Sequence, residues 1–355
     1  MARLSNLPPP AARAIVKNVA ARLLCAVGLP AFARRRHRNL LAIVMFHGVE
    51  DRPLSPPCWH VLDSARFRRQ LEYIGRHFTV LPLAEALDRL AAGTLPPRAM
   101  ALTFDDGTRN LATHAVPVLR ELQLPAAMFL ATGPIGTGET LWPDRLWLAL
   151  ARTSATAVDL TALGLGTRAL TATSDRGHAY AAAVGRLKEL DDAQRIAVLD
   201  SILAALGYRD GDDGGPFHML SWDEAREMGS DGLVTLYPHS VTHPILAHCD
   251  DDKVKAEIAD SCAALERETG LAPTIFAYPN GRMQDFDDRA KAVLRGRGVR
   301  WALSTKAGFA DRRCDPLAVP RLAVGSDTSF DYFRLMVSGG LPRRYGGSRG
   351  LAATN

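Results

Sequence analysis

The stretch Ala99-Met-Ala-Leu-Thr-Phe-Asp-Asp-Gly107 decides how this chain is read. Six mostly apolar residues follow Pro96-Pro97 and form a short buried strand. The strand ends on two adjacent carboxylates and a glycine. Successive side chains on a strand point to opposite faces, so Asp105 and Asp106 can serve one site in two roles. Gly107 lets the backbone turn away sharply. Taken alone, Asp-Asp-Gly is equally a solvated turn.

Working outward, Leu41–Phe46 reads as another buried strand, ending at His47-Gly48. The segments 78–81, 126–131, 233–236, 274–278 and 300–304 read the same way. Between them, 66–76, 83–92, 114–122, 251–269 and 287–297 carry apolar residues at helical spacing. Strands alternating with helices indicate parallel βα units. The expected fold is α/β: a distorted or incomplete (β/α) barrel with its site at the C-terminal ends of the strands. The stretch 133–217 is rich in Ala, Leu, Arg and Asp and reads as a helical insertion. The domain therefore spans 40–338, between a basic, partly apolar extension (1–39) and a Gly/Arg/Ser-rich tail (339–355) expected to be disordered.

The net charge of +5 is unevenly placed. Residues 1–38 hold eight Arg or Lys and 340–355 hold three, with no acid in either segment. Of the 43 basic residues, 32 then face 38 acidic ones in the body, which argues against a nucleic-acid substrate. The five cysteines show no CxxC pair, against a disulfide framework or a cysteine metal site. Residues 14–33 are largely apolar but broken by Lys17 and Arg22, and Arg34-Arg35-Arg36 follows them. No run reaches the ~18 residues of a membrane span. A weak secretory reading of 23–33 is set aside. A basic amphipathic helix on an anionic membrane surface is the alternative to a plain soluble extension, giving a cytoplasmic or peripheral membrane location as the expectation.

Two further segments carry chemistry. His239-Ser-Val-Thr-His243 places two imidazoles four residues apart on a turn bracketed by Pro238 and Pro244, a spacing that suits one metal ion and also occurs among surface histidines. Phe276-Ala-Tyr-Pro-Asn-Gly281 runs a strand into a turn whose N–H groups can face a ligand oxygen. In this order, the TFDDG, HSVTHP and AYPNG segments resemble the polysaccharide deacetylase family, carbohydrate esterase family 4 or NodB-like domain. The resemblance covers roughly residues 40–330.

That resemblance implies removal of N-acetyl groups from a glycan, with Asp105 as base and Asp106, His239 and His243 as ligands to one divalent ion: Zn, with Co, Ni or another first-row ion as alternatives. It implies an oxyanion contact from the N–H of Asn280, and substrate contacts from Tyr278, Pro279 and Trp301. Two departures stand out. Ala277 replaces the arginine that many members place beside the base, so Arg321 is the candidate cation. No histidine follows His248, so the usual late acid is missing, and His47 is the candidate instead. The remaining histidines, His60 among them, are read as incidental, and Trp142 and Trp147 as packing residues. The competing readings are a non-sugar amidase on the same scaffold and an inactive glycan binder.

Overall fold

A computed structural model describes residues 10–209, 211 and 215–341. Of the tail expected at 339–355, residues 339–341 are described and close the helix Phe330–Ser338, and the rest lies outside the described residues. Eight strands form the central sheet: β1 (Ala42–Phe46), β2 (Thr79–Val80), β3 (Ala99–Phe104), β4 (Ala126–Leu130), β5 (Val234–Pro238), β6 (Ile275–Ala277), β7 (Trp301–Ala307) and β8 (Val319–Ala323). All pairings are parallel, in the order β6-β7-β8-β1-β3-β4-β5, with β2 on the first residues of β3. The end strands β5 and β6 come together without a backbone ladder, so the barrel is nearly closed.

The alternation of the strands sorts the core into two layers. Ile43, Ala99, Ala101, Ala127, Phe129, Tyr237, Ile275, Ala277, Leu303 and Val319 share one cluster inside the barrel. Helix Leu83–Ala92 plugs its N-terminal end with Leu83, Ala86, Leu87 and Leu90. The intervening residues Ala42, Val44, Phe46, Met100, Leu102, Phe104, Met128 and Leu130 face outward, under the surrounding helices.

The segment expected to be a helical insertion holds helices Trp142–Arg152, Thr173–Leu187 and Asp192–Ala205. It also carries an antiparallel ribbon, Ala157–Asp159 with Thr167–Ala169, that its composition did not announce. It buries an apolar core of its own, which Trp147, Leu163, Leu199 and Phe217 share with Cys58 and Val61 of the barrel domain. At the N-terminus, helices Pro10–Ala26 and Leu29–Arg36 precede β1. They pack on the C-terminal helix Phe330–Ser338 through Ala21, Cys25 and Leu335.

Candidate active site

Inward parity continues past the strand ends. Residues 101 and 103 point into the barrel, and so does Asp105 beyond β3; residue 237 points in, and so does His239 beyond β5. Arg321 is on the inward face of β8, and His47 follows inward-facing Ile43 and Met45 in β1. Four strands thus aim one polar side chain each at the C-terminal mouth.

Asp105 and Arg321 are both buried, at 2% and 1% exposure. The guanidinium donates to both carboxylate oxygens, at 2.7 and 2.8 Å, and its Nε donates to the Ser304 carbonyl at 3.1 Å. Burial alone would raise the carboxyl pKa. Arg321, then His239, hold it below the ordinary range instead, so Asp105 stays ionised.

Asp106 is swung out of the strand by a positive φ of 78°, followed by Gly107 at 90°. A side chain at Gly107 would meet Leu130 at 2.9 Å. Of the six non-glycine residues with positive φ among those described, four (Asp106, Ser240, His243 and Asn280) lie in the three segments singled out above. The backbone strain is concentrated at this mouth.

The ligand-type atoms of Asp106, His239 and His243 lie within 4.8 Å of one another. Asp106 Oδ1 stands 3.7 Å from His239 Nε2 and 3.4 Å from His243 Nε2, yet it forms no hydrogen bond. Burial first, then Asp144 and Asp105, push the Asp106 carboxyl up to about 8. Burial keeps both imidazoles below their usual pKa, hence neutral. His239 Nδ1 contacts the Ala277 carbonyl at 2.7 Å, which assigns the proton to Nδ1 and leaves the Nε2 lone pair toward Asp106. One unbonded carboxylate oxygen facing two neutral imidazoles fits a divalent ion, with coordination positions left open.

The histidine loop is not helical. Glu257, on helix Asp251–Thr269, accepts from Val241 N and Thr242 N, each at 2.8 Å, and from the Thr242 hydroxyl at 2.5 Å. From the insertion, Trp142 Nε1 donates to the His243 carbonyl at 3.2 Å. Neither Glu257 nor Trp142 was picked out for this from the sequence. A carboxylate 14 residues downstream of His243 has no spacing rule, and an indole in an insertion reads as packing.

His60, read as incidental, belongs to the same wall. Its Nε2 lies 3.0 Å from Asp144 Oδ1, and its Nδ1 lies 3.3 Å from Cys58 Sγ. Its ring centre is 5.9 Å from that of His47. Burial opposes charge on His60, but Cys58 and Asp144 outweigh it and raise the pKa well above normal. His47 shows the reverse: burial carries it down to about 3 against the pull of Asp105. His47 Nδ1 is buried without a partner. Of this pair, the surroundings favour the charged form of His60 and the neutral form of His47.

The AYPNG turn meets the expectations only in part. Asn280 adopts φ 58° and leaves a buried Nδ2 without a partner, while Thr305 holds its carbonyl at 2.9 Å. Pro279 is buried beside it. Two expected substrate contacts are corrected. Tyr278 has outward parity: its ring stacks on Phe286 at 3.8 Å and its hydroxyl donates to the Leu317 carbonyl at 3.0 Å, so it packs under the helices. Trp301 is the first residue of β7, level with Ile275 and packed against the plugged end, away from the mouth.

This geometry agrees with what the chain is similar to. Residues 92–302, more than half of its length, match the polysaccharide deacetylase family. The chain belongs to that family. His47 and Arg321 lie outside the matched stretch. A poly-β-1,6-N-acetyl-D-glucosamine N-deacetylase of Staphylococcus aureus is 29% identical over 76 residues, 21% of this chain and 26% of that protein. The chain thus aligns with about a quarter of the length of that relative. Among solved structures, the Streptococcus pyogenes deacetylase PplD, in complex with acetate, superposes with a TM-score of 0.57 at 17% identity, covering 84% of this chain and 98% of that one. IcaB from Ammonifex degensii gives 0.54 at 20% identity, covering 84% and 97%. Both share the barrel fold.

Proposed function

We propose that this chain hydrolyses the acetamido group of an N-acetylated sugar, releasing acetate and leaving an amine, with one divalent ion held by Asp106, His239 and His243. The observation that carries the reading is a buried, arginine-clamped Asp105 beside that three-residue donor set. The ion, with zinc the first to test, would supply Lewis acidity toward the acetyl oxygen and the attacking water. Asp105 takes the proton from that water, and Arg321 keeps the base charged and fixes its two oxygens. The N–H of Asn280 steadies the oxyanion, a contact worth about 3–4 kcal/mol in comparable acyl-transfer sites. The leaving nitrogen takes its proton from the histidine wall. There the acid role stays with His47, the inward-facing imidazole, while His60 stands beside it with both ring nitrogens engaged by Asp144 and Cys58.

The match to the staphylococcal enzyme supports β-1,6-linked N-acetylglucosamine oligomers as the first substrate to test. Acetate release is measured with Zn, Co or Ni added, against Asp105→Asn. Loss of turnover by a factor of about 10²–10⁴ with metal binding intact is expected when a positioned base is removed. Full activity in that variant refutes the assigned base. No acetate from any N-acetylated glycan, with a metal bound, turns the reading toward a non-sugar amide.

A further inference from the structure

The N-terminal helical pair is tied to the body by one face only. Lys17, Ala21 and Cys25 recur every four residues and meet the C-terminal helix: Lys17 Nζ lies 3.8 Å over the Tyr332 ring, Ala21 packs by Leu335, and Cys25 Sγ donates to the Asp331 carbonyl at 3.3 Å. Ile15, Val19, Leu23 and Val27 recur at the same spacing two residues out of phase, which puts them on the opposite face. Their exposures are 64, 53, 63 and 79%. Val16 and Leu24 widen the stripe, and Phe32, on the second helix, is 68% exposed. Six of the eleven large apolar side chains exposed among the described residues therefore sit on this one pair of helices, and a seventh, Val27, sits in the turn between them. A soluble monomer rarely leaves such a patch open.

Charge identifies what covers it. The first acidic residue of the chain is Glu50, whereas Arg22 on the first helix, Arg35 and Arg36 in the last turn of the second, and Arg38 just after it are exposed. A second copy of the same face would bring like charges together. Among the described residues no single helix is long and apolar enough to cross a membrane; the two helices pass by length and composition only together, and are bent by 75°. Residues 14–26 measure about 20 Å against a hydrocarbon core of about 30 Å, and the Lys17 face is already occupied. We propose that this pair lies in the interface of an anionic lipid membrane, with the apolar stripe toward the acyl chains and the arginines at the headgroups.

The full-length protein is pelleted with phosphatidylcholine vesicles and with vesicles containing about one third phosphatidylglycerol, the anionic lipid that basic residues seek. Co-pelleting with the anionic vesicles, weakened by salt, is expected. Leu23→Glu/Val27→Glu should abolish it without moving the melting temperature, since both side chains are exposed. Arg35→Gln/Arg36→Gln should lower partitioning by on the order of tenfold. Failure to pellet with either vesicle overturns the proposal. So does a dimer, seen by sedimentation without lipid, that Leu23→Glu/Val27→Glu splits into monomers.

Discussion

His239 Nδ1 meets the carbonyl of Ala277 at 2.7 Å across the one seam of the barrel that has no backbone ladder. A side chain of the proposed metal site is therefore also a clasp between the end strands β5 and β6. Binding of an ion should raise the melting temperature, by an amount worth about 2.7 kcal/mol when the free ion is at a hundred times its dissociation constant. His239→Ala should remove most of that increment. Thermal melts with and without chelator check this; a melt indifferent to zinc, cobalt and nickel would count against the site.

The Arg321–Asp105 pair gives a prediction with a sign. Burial pushes Asp105 upward and Arg321 holds it down. In Arg321→Met the carboxyl pKa should rise, moving the acidic limb of the pH–activity profile to higher pH. Arg321→Lys should restore part of the charge effect without the two-pronged geometry. Leaving one buried charge unpaired typically costs about 3–5 kcal/mol of stability. Asp105→Asn added to Arg321→Met should recover some of it, which denaturant titration of the two variants measures.

Glu257 stands outside the three-residue donor set and is hydrogen-bonded to the loop that carries its two histidines, so its effect should appear in affinity. Glu257→Gln keeps the shape but weakens three hydrogen bonds that set the histidine loop. Metal affinity should fall about 10–100-fold, as for other partners that orient ligands, with the circular dichroism spectrum unchanged. Competition against a chromophoric chelator reads it directly.

For His60 the folded-state pKa is raised, with Asp144 and Cys58 overcoming burial. The stability this contributes is fully present below the unfolded value of about 6.5 and is lost as pH rises through the folded value. Asp144→Asn should therefore destabilise the protein at about pH 5 more than at alkaline pH. If the wall supplies the proton to the leaving amine, the same change should draw the alkaline limb of activity toward lower pH. Denaturation midpoints and a rate profile across that range separate the structural effect from the catalytic one.

Much of the site could be read from the sequence because strand periodicity is itself geometry. Residues 101, 103 and 105 share a face, and so do 237 and 239, 43 and 47, and 319 and 321; the inward set follows from the barrel and that parity. The same rule corrects Tyr278, whose even number in its strand places it outside. Trp301 needed a second coordinate, height along the barrel, which register alone supplies. Glu257, Trp142, Asp144 and His60 were illegible for another reason. They act through contacts between segments from 15 to about a hundred residues apart, and no local spacing encodes those.

Arg321 stands where Ala277 leaves nothing to offer, on β8 rather than β6. Because every strand of a narrow barrel looks onto the same axis, an inward residue on one can be replaced by an inward residue on another without moving the partner it serves. What such a lumen asks for is then a charge at one position in space, which more than one strand can supply. A linear comparison that stops before residue 321 will count this chain as lacking a cation that it carries.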